Sequence, residues 1–533
     1  METLVQIEPA RDAESVQKTD HSEPTLKLSD KVLRASSYII YVDLPDNREE
    51  MLLVHGYTGA YDKISRSLGC YIRSLEIRRA AKPLYGEWTN ESAFIDDAPA
   101  ASPEDIQLLQ KRGYLTRLTQ EEEENLFGRM AMKMHEQRLK QMPSYIIMPT
   151  YDCNLRCSYC FQDHMRTDPR FRHLLRTMST DVADRIVGSM KKIEALHGME
   201  EDGHEGRNRS IGFFGGEPLL AANRSIIEYI IRKAQEIGTA SFWTVSNATE
   251  LDAYEDLLSK EQIGNVQITL DGPAGEHDQR RIYPDGSGSF AKIERNITMA
   301  LNKGVGISVR MNVDRNNVNQ LPQLAEAIHA NGWDQYPNFS AYTSPIRAMN
   351  KNVTSATTLS TPALSVAQVA LAKEFPQVSI FARPDISIKQ DARQIFHRGS
   401  QHMPTLHESF CSAHSGMYIF DAFADIYVCW DKTGDSSTRF GHIDENGGVD
   451  LDAQQIQLWR GRTVASNPVC RKCRYALHCG GGCAVLAYRQ SGKYHMNHCD
   501  GFAASFKSRV AEAYAEHVAG VPLQARAAKV CDQ

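Results

Sequence analysis

The sequence predicts an α/β fold: a parallel sheet curled as a partial (β/α)6 barrel, a small α+β domain before it and a cysteine-rich, metal-binding extension after it. Three observations lead there. Apolar, β-prone runs alternate with helical patterns from residue 145 to 344, as parallel strands with helical crossovers do. All but Cys70 and Cys531 of the 12 cysteines fall in two groups, at 153–160 and 411–499. The 533 residues also exceed one ordinary core; at roughly 150 residues per domain, the length allows about three or four.

Composition narrows the classes further. Apolar residues make up 42% and charged residues 24%, ordinary for a soluble globular chain. A net charge of −6, from 60 basic and 66 acidic residues, leaves no basic footprint for nucleic acid and no polybasic tract for a membrane. No apolar run reaches the roughly 18 residues of a membrane span. METLVQIEPARDAESVQKTD is acidic where a secretory signal is basic and apolar, so a cytoplasmic location is expected. In that reducing compartment clustered thiols read as metal ligands rather than disulfides.

Residues 1–28 are polar and aperiodic and read as a flexible leader. A small α+β domain is expected over 29–118. Within it, SSYIIYVDLPDN and EEMLLVHGYTGAYDKI form a hairpin over 37–64 about a Pro-Asp-Asn turn. ASPEDIQLLQKRGYL reads as a short helix ended near Gly113. Thr119 and Glu122 make a T-x-x-E capping box. It opens a linker helix within 119–143 that stops before Pro143 and whose methionines read as packing.

The partial barrel is expected over 144–376, with strands at 145–150, 210–215, 242–247, 266–272, 307–313 and 339–344. Ile226, Ile227, Ile230 and Ala234 form one apolar helix face ended by Gly238; Phe290, Ile293, Ile297 and Leu301 form another ended by Gly304. Active sites on such folds gather at the C-terminal ends of the strands, and the first cysteine group lies just past the first strand. After 377 the alternation lapses. Residues 377–505 are rich in Cys, Gly and His, as small metal-organised modules are, and 506–533 return to a helix and tail.

Cys153, Cys157 and Cys160 place three thiols within one short loop. A 4Fe-4S cluster takes four cysteine ligands, so three leave one iron open to a small molecule. A zinc site completed by a residue such as His164 is the other reading of the spacing.

The C-x3-C-x-aromatic-C pattern, with Tyr159 as its aromatic, resembles the radical S-adenosylmethionine superfamily. That resemblance implies a 4Fe-4S cluster held by Cys153, Cys157 and Cys160, with S-adenosylmethionine on the open iron. It also implies a 5′-deoxyadenosyl radical that abstracts hydrogen from substrate, and an external electron donor such as flavodoxin or ferredoxin. Gly215-Gly216-Glu217-Pro218 is similar to the family's methionine-amine contact; glycines admit a close backbone, and Glu217 can accept from an ammonium. Ser246-Asn247 resembles the polar site near the ribose, with Ala248 where glycine is common. Thr269 before Leu270-Asp271-Gly272 resembles S-x-D-G, His277-Asp278 with Arg281 resembles the H-D-x-x-R after it, and Arg310 and Asn312 resemble a further recurrent strand, so the resemblance implies that Tyr159, Thr269, Arg281, Arg310 and Asn312 bind the cofactor. Each can instead be a satisfied polar residue at a strand end; their order along 145–345 carries the resemblance.

Cys470-x2-Cys473-x5-Cys479-x3-Cys483, with Cys411 and Cys429 before it and Cys499 after it, resembles the SPASM extension of radical enzymes that modify peptides and proteins. By that resemblance two auxiliary 4Fe-4S clusters are implied. Cys411, Cys429 and Cys483 hold the nearer, whose fourth position is open, substrate-bound or filled by a residue such as His407 or Cys531. Cys470, Cys473, Cys479 and Cys499 hold the outer. A zinc ribbon with His478 nearby is the alternative for 470–483. Ala424 stands where the family has a glycine, five residues before its second cysteine. Asp431 resembles the catalytic acid of some relatives, or is a loop carboxylate.

The resemblance as a whole implies a maturase that crosslinks side chains of a ribosomally synthesised precursor peptide by a thioether, carbon–carbon or carbon–oxygen bond. The N-terminal domain would grip a leader sequence by β-augmentation, or simply cap the barrel. Maturation of a protein such as a sulfatase, small-molecule radical chemistry, and a zinc-organised binding protein without catalysis are the alternatives.

Overall fold

The computed structural model describes residues 32–76, 100–199, 207–399 and 402–523. The expected leader, the end of the C-terminal tail and Cys531 lie outside the described residues. Contacts divide the chain into two units.

One unit takes in Met1–Met134, Asp385–Phe410 and Thr463–Ala525. Its strands are β1 (Arg34–Ala35), β2 (Ile39–Leu44), β3 (Asn47–His55), β4 (Tyr61–Ser65) and β5 (Leu115–Thr116). The expected hairpin is β2 and β3, antiparallel, with Ile40 opposite Val54 and Val42 opposite Leu52. Both sheet faces are covered, which is why these strands read as unbroken apolar runs. Ile40, Val42 and Val54 pack with Phe506 and Val510 of the helix Phe502–Val518; Ile39, Tyr41 and Leu53 pack with Ile64, Ile72 and Leu109. The capping box forms as read. Thr119 N–H donates to Glu122 Oε2 at 2.8 Å and Glu122 N–H to Thr119 Oγ1 at 3.2 Å, opening the helix Gln120–Leu139. Met130 and Met134 pack beside Phe127, while Met132 is exposed.

The second unit takes in His135–Pro384 and Cys411–Arg462. Its strands are β6 (Ser144–Ile147), β7 (Asn208–Phe213), β8 (Thr239–Ser246), β9 (Ile263–Thr269), β10 (Gly306–Val313), β11 (Phe339–Pro345) and β12 (Phe381–Ala382). Four short strands follow: β13 (Met417–Phe420), β14 (Asp425–Tyr427), β15 (Gly441–Ile443) and β16 (Val449–Leu451). All lie in one 11-stranded sheet of order β12-β11-β10-β9-β8-β7-β6-β13-β14-β15-β16. The expected parallel strands are β6 to β11, each beside its sequence neighbour. On β10, Val309, Met311 and Val313 are fully buried on the side of the helix Phe290–Asn302. Period-two alternation therefore turns Ser308, Arg310 and Asn312 to the inner face.

The contact division differs from the one read in the sequence. The expected extension 377–505 is not one body: 385–410 and 463 onward group with the N-terminal strands, whereas 411–462 group with the sheet. The physical reason is β13, which pairs in parallel with β6 and so adds the second cysteine region's first hairpin to the sheet. Strands of three or four residues carry too little alternation to be read beforehand. The unit boundary also falls inside the helix expected as a linker.

Candidate functional site at the C-terminal ends of the strands

The cysteine loop leaves β6 at Met148 and is held by its own short-range bonds. Asp152 Oδ1 accepts Cys153 N–H at 2.8 Å, and Cys153 Sγ accepts Leu155 N–H at 3.4 Å. The turn after β7 is laced onto this loop: Gly216 N–H donates to Thr150 O at 3.2 Å and Glu217 N–H to Asp152 O at 2.7 Å. Only glycine fits there. A Cβ on Gly215, whose φ is +140°, would stand 2.4 Å from Thr150 O, and one on Gly216 would stand 2.1 Å from Asp152 O.

Glu217 is buried, and burial pushes its carboxyl up to about 7. In this structure its donors are protein groups: Ser246 Oγ at 2.7 Å, Asn247 N–H at 2.6 Å and Leu219 N–H at 2.9 Å. Asn247 Nδ2 reaches Cys153 Sγ at 3.8 Å and Asn154 Oδ1 at 2.8 Å. The ends of β7 and β8 are thereby tied to the first cysteine. Ala248, noted where glycine is common, adopts the glycine conformation with φ 59°.

Tyr159 anchors the other side. Its hydroxyl donates to Asp271 Oδ2 and accepts from Arg281 at 2.6 Å and Asn312 Nδ2 at 3.1 Å. Asp271 is fully buried and also accepts Asn312 N–H at 3.2 Å. His277 Nδ1 accepts Asp271 N–H at 3.3 Å, and burial lowers the His277 pKa well below the usual imidazole range, with Arg281 adding to it. Thr269 is buried and in register with Arg310, whose guanidinium donates to Ser344 Oγ at 2.9 Å.

The thiols themselves lie in apolar surroundings. Burial pushes Cys153 up to about 12 and Cys157 to about 11. As thiolates they require compensating positive charge, which a bound iron–sulfur cluster supplies. Arg166 contributes more, its guanidinium donating to Cys160 Sγ at 3.2 Å and to Tyr151 O at 3.2 Å. Three thiols on one loop, with a cation and an amide already directed at their sulfurs, fit such a cluster. Among the described residues no three His, Cys, Asp or Glu side chains converge as ligands of a single ion.

Sequence reading missed Arg166, Asn154 and the buried pair Tyr151–Asp421, because a helix-borne arginine six residues past the last cysteine has no spacing signal. Tyr151 donates to Asp421 Oδ2 at 2.9 Å, and Thr433 Oγ1 accepts from Gln162 Nε2 at 3.2 Å.

The second cysteine group divides between the two units. Cys411 and Cys429 belong to the sheet unit; Cys470, Cys473, Cys479, Cys483 and Cys499 belong to the other. Cys429 stands two residues past the end of β14 and opens a short turn, Trp430–Lys432, carrying the half-buried Asp431. Trp430 packs on Phe214, ring centroids 5.7 Å apart, beside the Gly215 turn. Ala424, the other alanine at a glycine position, again has positive φ, 64°. In the N-terminal unit, Gly480, Gly481 and Gly482 are all left-handed, with φ of 70°, 83° and 73°. His498 N–H donates to Gly481 O at 3.1 Å, and a Cβ on Gly482 would meet His498 O at 1.8 Å, which seats the Cys483 turn beside the segment carrying Cys499. Cys499 Sγ accepts from Asn497 Nδ2 at 3.1 Å and Cys473 Sγ from Tyr475 N–H at 3.4 Å.

Residues 147–328 match the Radical SAM superfamily. The chain is 25% identical over 189 residues to a cysteine-type anaerobic sulfatase-maturating enzyme of Clostridium novyi (strain NT), covering 35% of this chain and 47% of that protein. It is 26% identical over 197 residues to a GTP 3′,8-cyclase of Erythrobacter litoralis (strain HTCC2594), covering 36% of this chain and 52% of that protein. The chain thus spans about half the length of these curated relatives. Among solved structures, native anSMEcpe with bound AdoMet aligns at a TM-score of 0.53 and 16% identity, over 71% of this chain and 100% of that chain. That likeness shows a shared fold. No helix among the described residues is long and apolar enough to cross a membrane.

Proposed function

We propose that this chain, whose residues 147–328 are a domain of the radical SAM superfamily, is a maturase that abstracts a hydrogen atom from a ribosomally synthesised precursor peptide and installs an oxidative side-chain crosslink. The bond made is a thioether, a carbon–carbon or a carbon–oxygen bond. The observation that carries the reading is the convergence on one cysteine loop of the Gly215–Glu217 turn, Asn247 and the Tyr159–Asp271–Arg281–Asn312 network, all at the C-terminal ends of the parallel strands. When bound, a 4Fe-4S cluster on Cys153, Cys157 and Cys160 together with S-adenosylmethionine supplies the hydrogen-abstracting radical.

The chain's own residues hold and shield that chemistry. Arg166 and Asn247 donate to the sulfurs of Cys160 and Cys153, while the Gly215–Gly216 backbone and Ser246 are the groups that would hold S-adenosylmethionine. Thr269, Arg281 and Asn312 would join them. The second cysteine group would hold two auxiliary 4Fe-4S clusters, which would supply a sink for the substrate's electron; the left-handed Gly480–Gly482 turn, seated beside the Cys499 segment, is consistent with Cys479, Cys483 and Cys499 serving as ligands. Asp431, on the turn packed beside Gly215 through Trp430, is the proposed proton acceptor. An external flavodoxin or ferredoxin supplies the reducing electron, and the reaction takes place in the cytoplasm. The leader sequence pairs with the β2–β3–β4 sheet, whose outer strands each have one neighbour within that sheet.

A second reading, modification of a protein of the sulfatase type, is favoured by the sulfatase-maturating relative. Coexpression with the short reading frame or the sulfatase encoded nearby, followed by mass spectrometry, separates the two. Loss of a hydrogen pair from the short peptide supports crosslinking; an unmodified peptide beside a modified sulfatase overturns it. Anaerobic reconstitution to about twelve irons per chain and release of 5′-deoxyadenosine test the cofactors; zinc without iron would end the enzyme reading.

A further inference from the structure

The inner face of the sheet is divided in character. Ile146, Gly212 and Trp243 fall in register across β6, β7 and β8 and belong to the apolar half. Thr269, Arg310 and Tyr342 fall in register across β9, β10 and β11 and belong to the polar half. Arg310 stands in the middle of that polar half. Its guanidinium makes one described hydrogen bond, to Ser344 Oγ at 2.9 Å, and its Nε is buried without a partner.

Neighbouring arginines are matched with carboxylates: Arg280 with Asp314 at 2.9 Å and Arg281 with Asp271 at 4.0 Å. Among the described residues Arg310 has no such counter-ion. A guanidinium presents a planar fork of donors suited to a carboxylate, and that of the half-buried Arg310 keeps donors open to one. The cysteine loop already has its own guanidiniums: Arg166 donates to Cys160 Sγ at 3.2 Å and Arg281 to the Tyr159 hydroxyl at 2.6 Å. Arg310 lies one pleat below Asn312, the residue that touches Tyr159 of that loop, a step of about 7 Å along the strand.

We propose that Arg310 binds a carboxylate of the peptide substrate, an aspartate or glutamate side chain, and holds it against the polar half of the inner face, one pleat below the cysteine loop. This deepens the maturase reading and rests on it: the acidic residue fixes which stretch of peptide faces the radical. It also assigns Arg310 to the substrate rather than to the cofactor, where the family resemblance puts it.

The test uses the full chain, anaerobically reconstituted, with N-acetyl-aspartyl amide and N-acetyl-asparaginyl amide as probes, read by ligand-detected NMR. The wild type should prefer the aspartyl probe about tenfold; Arg310→Gln should abolish the preference and Arg310→Lys should keep part of it. Equal binding of both probes to the wild type, or an undiminished preference in Arg310→Gln, overturns the proposal. So does displacement of the aspartyl probe by saturating S-adenosylmethionine, which would give the arginine to the cofactor. Failure of the maturase reading looks different: the wild type would release no 5′-deoxyadenosine whatever its probe preference.

Discussion

Glu217 accepts the backbone N–H of Asn247 at 2.6 Å, which clamps the turn after β7 to the end of β8 directly beside the first cysteine. The same carboxyl group takes Ser246 and Leu219 as donors, and none of this reaches water. Glu217→Ala strands three buried donors. At about 1–3 kcal/mol for each unsatisfied group, part of it recovered by relaxation, the loss should be about 2–4 kcal/mol. Glu217→Gln keeps one acceptor and should cost less than alanine. Urea denaturation checks the order; equal stability of all three proteins would show that the clamp contributes nothing.

Asp421 makes the stability of the sheet unit depend on pH. Burial, with Asp425 adding to it, raises its carboxyl from the ordinary 3.8 to about 7, although Tyr151, Phe423 and Asp425 all donate to it. The sign follows from proton binding: between about pH 4 and pH 7 the folded chain keeps the proton that the unfolded chain releases, so stability falls as pH rises through that window. Asp421→Asn removes the slope. The difference in unfolding free energy between wild type and Asp421→Asn should therefore shift in favour of the variant from about pH 5 to about pH 8; parallel pH curves would contradict the assignment.

Much of this was legible beforehand, and what was not has a physical reason. The six parallel strands could be read because each buries an alternating or continuous apolar run long enough to show a period; β13 to β16 are too short, so the hairpin that leads into Cys429 was hidden. Ala248 and Ala424 were legible as departures from glycine, and both retain the left-handed turn. Tyr159 was read as a cofactor residue, yet its hydroxyl partners, Asp271 and Asn312, sit 112 and 153 residues away. No local pattern encodes pairs at that separation.

The two alanines set up a balance of magnitudes. A left-handed conformation costs a non-glycine residue about 1–2 kcal/mol. Glycine would relieve that, but would lose about 0.5–1 kcal/mol to the entropy of its unfolded state and about 0.8 kcal/mol of methyl burial, since both side chains are fully buried. The terms nearly cancel. Ala248→Gly and Ala424→Gly should each lie within about 1 kcal/mol of wild type, which explains how alanine stands there. Valine has no such balance, because β-branching makes positive φ a severe outlier, and Ala424→Val should cost more than about 2 kcal/mol. A valine variant as stable as wild type in thermal denaturation would mean that the turn is not left-handed.

Gly216 gives the sharpest test of how closely the β7 turn approaches the cysteine loop. A Cβ there would lie 2.1 Å from Asp152 O and 2.3 Å from Tyr151 O. Both are backbone oxygens, so no side chain can swing aside, and the loop carrying Cys153 must move away from the turn. That movement breaks the bonds from Gly216 N–H to Thr150 O and from Glu217 N–H to Asp152 O. At about 1 kcal/mol for each, with strain added, Gly216→Ala should lose more than about 2 kcal/mol. Gly188 is the control: it lies in the helix Thr180–Leu196 with nothing within 4 Å of its missing Cβ. There alanine should stabilise by about 1 kcal/mol, because glycine is the poorer helix former. Denaturation of the metal-free chains should separate the two variants by about 3 kcal/mol or more. Iron bound after anaerobic reconstitution should fall in Gly216→Ala alone, since the displaced loop carries the first of the three thiols. If Gly216→Ala matched Gly188→Ala in stability and iron content, the turn would not be seated on the loop.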